Sequence, residues 1–117
     1  MKLAFCVMTE FLKFQPVYTM INLIKAAQEK NHEILGIFFF GSGVLNIQKG
    51  AHLGKNTRNI SAELENLGVS IVACQTWADN MAIFKENAIE GADITGLGEL
   101  SNMTAEADKV IVFGSHA

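Results

Sequence analysis

The chain has 117 residues, enough to bury one core but not two. Half of them are hydrophobic, 18% are charged and the net charge is -3, which excludes a general binder of nucleic acid or anionic membrane. Its two cysteines, Cys6 and Cys74, lie far apart without paired spacing, which excludes a disulfide framework and a zinc ligand set.

In chain order, residues 3–8 are apolar throughout and predict a first strand buried on both faces. A polar-aromatic loop follows, and Pro16 suits the first turn of a helix. Val17, Met20, Ile21, Ile24 and Ala27 recur at helical spacing to about Lys30, where Asn31 can close the helix in a left-handed cap. Residues 34–40 predict a second strand whose Phe38-Phe39-Phe40 run would sit badly at an exposed edge. Gly41-Ser42-Gly43 breaks that strand. Residues 41–56, rich in Gly and Lys, predict a long polar loop of the kind that carries function.

Ile60, Leu64 and Leu67 mark a helix stopping at Gly68, and residues 69–74 a third strand. Met81, Phe84 and Ala88 predict the apolar face of a further helix, with Asp79 as its candidate cap. A brief fourth strand at 92–95, a short helix at 97–107 and a last strand at 109–113 complete the pattern. No repeat or linker interrupts it, so residues 1–117 are expected to form one domain.

Short strands alternating with helices predict an α/β fold, a parallel sheet with helices on both faces. Its crossovers are right-handed, so the strand carboxyl ends share one edge, where such sheets bind ligands. Cys74 and the 41–56 segment belong to that edge.

Cys74 ends the third strand where a helix is expected to begin. Backbone N–H groups and the helix dipole favour a thiolate there, and a thiolate is a nucleophile and sulfur carrier. The plain alternative is a buried core cysteine. His52, Lys49, Lys55 and Arg58 share the 41–56 segment and its flank, and could form an electropositive lip that stabilises a thiolate or attracts an anionic sulfur species; a solvated loop without contact to the thiol is the alternative. Trp77, three residues after Cys74, could wall the thiol or anchor an interface. Cys6, mid-strand, reads as core.

Other chemistries lack their motifs. Neither Gly41-Ser42-Gly43 nor Gly96-Leu97-Gly98 completes a dinucleotide fingerprint, and Gly54-Lys55-Asn56 is no phosphate loop. His32, His52 and His116 have no companions at metal-ligand spacing, so no metal or cofactor is expected. No serine-hydrolase elbow exists, and the pairs Glu63 and Glu65 or Glu86 and Glu90 read as solvated helix faces.

Several segments together resemble the DsrE/TusD family of small sulfur-relay proteins. They are Phe38-Phe39-Phe40 with Gly43-Val44 and Asn46, Gly68-Val69 through Ile71 to Cys74, residues 94–100 (Ile-Thr-Gly-Leu-Gly-Glu-Leu), and residues 107–113. The resemblance spans essentially the whole chain. It implies a three-layer α/β/α domain with a five-stranded parallel sheet ordered 4-3-2-1-5, in trimers or hexamers of like or paralogous subunits. It implies a persulfide on the cysteine that Cys74 matches, exchanged with sulfur-donor and sulfur-acceptor proteins in tRNA thiolation or sulfur oxidation. The implied order separates strands one and three, which argues against a Cys6–Cys74 disulfide. The chain is shorter than larger members between Asn46 and Gly68 and around residues 80–90.

The leading expectation is therefore a cytoplasmic sulfurtransferase that carries sulfur on Cys74, with His52, Lys55 and Trp77 about the substrate, no cofactor, and no direct nucleic-acid or membrane partner. No apolar run approaches the roughly 20 residues of a membrane span, and the start of the chain does not read as a signal peptide. The alternatives are a non-catalytic oligomeric assembly module with a sealed Cys74, and a small-ligand binder at the same edge.

Overall fold

The apolar runs become five parallel strands because each can be buried on both faces only inside a sheet covered by helices. A computed structural model describes residues 1–13, 15–50 and 59–114. The strands are β1 (Lys2–Val7), β2 (Glu33–Phe39), β3 (Ile71–Cys74), β4 (Ala92–Thr95) and β5 (Lys109–Phe113), and the helices are α1 (Gln15–Glu29), α2 (Ile60–Asn66), α3 (Gln75–Asn80) and α4 (Gly98–Glu106). The sheet order is β4-β3-β2-β1-β5, all parallel, as the resemblance implied. Phe38 and Phe39 end the central strand, fully buried on opposite faces, and Phe40 follows just beyond it.

One face carries Leu3, Phe5, Val7, Ile37, Phe39, Ile71 and Ala73, packed with Val17, Met20, Ile21 and Ile24 of α1 and Ile60 and Leu64 of α2. Asn31, at φ 65, ends α1 in the left-handed cap expected of it. Asn59 starts α2 by accepting a hydrogen bond from the Ala62 N–H at 3.1 Å. The other face carries Ala4, Phe38, Val72 and Cys74 under Met103 of α4. A Cβ on Gly36 would stand 3.1 Å from the Met103 methyl carbon, so the missing side chain lets α4 sit close on β2.

Two expectations are corrected. First, residues 41–47 are not an open polar loop: Gly41–Ile47 is a 3₁₀ helix with Val44, Asn46 and Ile47 fully buried. With three residues per turn, Val44 and Ile47 share a side and enter the core. Gly43 is pressed on the end of β1, where a Cβ would collide with the Val7 carbonyl. Residues 51–58 lie outside the described residues.

Second, Met81, Phe84 and Ala88 do not share a helix face. The helix begins at once after β3, as α3, and the chain leaves it through Ala82 at φ 55. That conformation costs a residue with a Cβ about 1 kcal/mol. Asp79 lies inside α3 and accepts from Gln75 Nε2 at 2.8 Å rather than capping a later helix. Asn87 Oδ1 accepts from the Phe84 N–H at 2.7 Å, and the Ile89 N–H donates to the Ile47 carbonyl at 2.7 Å. These bonds take the backbone groups a helix would need.

Candidate functional site

Cys74 is the last residue of β3 and the N-cap of α3, with extended backbone (φ -68, ψ 124) and no side-chain cap hydrogen bond. Its register partner on β4 is Thr95, and Leu97 and α4 follow directly, so the 94–100 motif lies beside it at the carboxyl edge. The side chain is 5% exposed, in a cluster with Ala4, Phe38, Val72 and Met103. Leu35, Phe40, Trp77, Leu100 and Ala107 pack against that cluster from its half-buried rim.

Both cysteines are free thiols. Cys6 pairs in register with Phe38, which pairs with Val72, so the two thiols share one face but lie two strands apart. Two strand spacings and a two-residue offset separate their Cα atoms by roughly 12 Å, well beyond the reach of a disulfide. Burial pushes the Cys6 thiol up from its ordinary value, which keeps it protonated at neutral pH and fits a core role.

Of the other expected site residues, Trp77 is described: it packs on the cluster that holds Cys74 and also on the main core, and sets its ring edge-to-face with Phe40, centroids 5.9 Å apart at 66°. His52 and Lys55 lie outside the described residues, as do Arg58 and His116. Lys49 is described, and its ammonium donates to the Glu86 carbonyl at 3.2 Å. Among the described residues no group of three or more His, Cys, Asp or Glu could hold a metal ion.

Phe40 was not singled out in the sequence. A third phenylalanine at the end of the expected strand 34–40 reads as core, and its partner Trp77 is distant in the chain. Asn46 was noted only within a motif. Its amide donates to the Thr9 carbonyl at 2.9 Å, while Ser42 donates to the buried Glu10 carboxylate at 3.2 Å. These bonds dock the 3₁₀ segment on the turn after β1.

Two clefts lie nearby and neither is lined by Cys74. One of about 590 Å³ is lined by Gln75, Phe84, Lys85, Asp93 and Ile94 among others. The other, of about 360 Å³, is lined by Lys49, Glu65, Lys85 and Glu90 among others. The larger begins at the residue after Cys74, but Ala92 and Ile94 in its wall pair with Ile71 and Ala73, on the face opposite the thiol. Its polar groups are the exposed Gln75 amide and surface charges, so the nucleophile, not the cleft, defines the candidate site.

The DsrE/DsrF-like family model matches residues 1–113. The DsrE protein of Allochromatium vinosum, provisionally named a sulfurtransferase, is 34% identical over 105 residues, covering 77% of this chain and 81% of its own length. The crystal structure of the YchN protein from E. coli superposes with a TM-score of 0.75 at 27% identity, covering 97% of this chain and all of that one. MTH1491 from Methanobacterium thermoautotrophicum, a protein of unknown function, shares the fold with a TM-score of 0.77 at 15% identity, covering 95% of this chain and 97% of its own. With this sheet order and a match over nearly its whole length, the chain belongs to the DsrE/DsrF-like family.

Proposed function

We propose that this protein is a sulfur carrier that holds sulfane sulfur as a persulfide on Cys74 and passes it to a partner protein. The observation that carries the reading is the position of Cys74, a free thiol ending β3 at the carboxyl edge, in a chain one-third identical to a protein named as a sulfurtransferase. In the forward step the Cys74 thiolate attacks the outer sulfur of a donor persulfide. The donor S–S bond breaks, the donor leaves as a thiolate, and Cys74 keeps the transferred sulfur with its proton as Cys74–S–SH. An acceptor thiolate then takes that outer sulfur and Cys74 leaves as a thiolate. Both steps are thiol–disulfide exchange in form and need no added oxidant or reductant.

The partners are a sulfur-donor and a sulfur-acceptor protein in the reducing cytoplasm, in a relay serving tRNA thiolation or sulfur oxidation. A second copy or a paralogous subunit fits the apolar side chains left open beside the thiol's face. Val110 and Val112 pair with Ala4 and Cys6 on that face and are exposed, as are Met8 and Leu97. His52 and Lys55 remain candidates for holding the anionic sulfur.

The burial of Cys74 favours a second reading, a non-catalytic assembly module in which the thiol is structural. Cyanide separates the two, because it removes sulfane sulfur as thiocyanate. After overnight incubation with excess persulfide donor and removal of the donor, the carrier reading expects about one thiocyanate per chain from the wild type and none from Cys74→Ser. Thiocyanate from neither protein would leave the assembly module standing.

A further inference from the structure

A carrier's thiol has to meet another protein's sulfur, yet Cys74 is almost wholly covered in the isolated chain. Part of its rim must therefore move. The half-buried side chains packed on its cluster are Leu35, Phe40, Trp77, Leu100 and Ala107, and Phe40 follows Phe39, the register partner of Ala73, so it stands beside Cys74. Three observations single out two of them. Phe40 and Trp77 touch each other edge-to-face across the cluster, one from the end of β2 and one from the helix that starts at Cys74. Trp77 rides on α3, which has only six residues and enters from Cys74 without a side-chain cap bond. At its far end the Met81 N–H is shared among the carbonyls of Trp77, Ala78 and Asp79, and Ala82 follows in the left-handed region. The side-chain hydrogen bond of α3, Gln75 to Asp79, is internal to the helix. Ala78 is fully buried in the core of the opposite face and keeps α3 docked, so the half-buried Trp77 side chain, with Phe40, is what can swing aside.

We propose that Phe40 and Trp77 form a movable aromatic cover over Cys74. It shields the thiol from small reagents in the isolated protein, and its two side chains swing aside when a partner protein docks. The cover makes the site selective for sulfur carried on a protein over sulfur carried on a small thiol. It also protects a stored persulfide from adventitious reduction. This inference takes its functional sense from the sulfur-carrier reading and rests on it, and the test below separates the two.

The test uses the full chain carrying Cys6→Ala, so that Cys74 is its sole thiol, and follows alkylation by iodoacetamide. The cover predicts that the native protein reacts at least about a hundredfold more slowly than the denatured chain. Phe40→Ala and Trp77→Leu should each raise the native rate about tenfold. Phe38→Leu, which loosens the same cluster from inside the sheet, corrects for acceleration through loss of global stability measured by urea unfolding. Trp77 is the one tryptophan in the chain, so its emission should shift when Cys74 is alkylated. If Trp77→Leu does not fold, Trp77→Phe with Phe40→Ala gives the same readout.

A native rate near the denatured one overturns the cover. So does acceleration by the two aromatic variants no greater than that of Phe38→Leu at equal stability. If the variants accelerate as predicted but no sulfur loads on Cys74, the carrier reading falls and the cover stands. If sulfur loads and the variants react like the parent, the cover alone falls.

Discussion

The two cysteines show how far residue identity alone can be read. Both sit on apolar strands and on the same face of the sheet, and both are buried. Position along the strand separates them: Cys6 is flanked by paired strand residues on both sides, whereas Cys74 is the last residue of its strand. The apolar run that stops at Cys74 made this legible in the sequence. Phe40 was not legible, because its significance lies in a contact with Trp77 across the edge. The raised Cys6 thiol has a consequence for stability. The unfolded chain releases that proton as pH passes the ordinary thiol range, while the folded chain keeps it until a higher pH. Stability is thus lost as pH rises from about 8.5 upward. Urea unfolding at pH 7 and pH 10 should show a smaller loss in Cys6→Ala than in the wild type, and equal losses would contradict the assignment. Phe38, fully buried between β1 and β3, sets the scale of the core: Phe38→Ala should cost about 3–5 kcal/mol in the same assay.

At the scale of elements, all five strands and the helices α1, α2 and α4 were legible, because alternating runs of apolar residues and helical periodicity leave few other ways to bury them. The two misreadings share a cause. In residues 41–47 and 75–88, local composition pointed one way and tertiary hydrogen bonds another. Glycines suggested an open loop, but Gly43 is there to fit against the Val7 carbonyl, and Asn46 to bond the Thr9 carbonyl. Helical spacing of Met81, Phe84 and Ala88 was coincidental once Asn87 and Ile89 had claimed the backbone. Gly43→Ala should therefore destabilise by about 1–3 kcal/mol through overpacking against backbone. Asn46→Ala should cost a similar amount, about 1–3 kcal/mol, by leaving the buried Thr9 carbonyl without its donor. Thermal unfolding of the two variants checks both. An unchanged melting temperature in Gly43→Ala would mean that this segment is not pressed on β1.

At the scale of the whole molecule, the sheet is covered unevenly. The 15-residue α1 and the shorter α2 close one face, while α4 is the helix whose buried Met103 packs on the other. Val112 is 57% exposed on that second face. A composition half hydrophobic with few charges fits surface covered by other subunits. Size-exclusion chromatography should give an oligomer for the wild type, and Val112→Glu should shift it toward the monomer, because a charge in a desolvated apolar contact is costly. A wild-type monomer would place the apolar face at a contact with a different protein. The most direct check of the sulfur-carrier account is intact mass after overnight incubation with excess persulfide donor. The wild type and Cys6→Ala should each gain one sulfur, about 32 Da, and Cys74→Ser should gain none. A Cys74→Ser protein that loads as the wild type does, or a wild type that never loads, would contradict it.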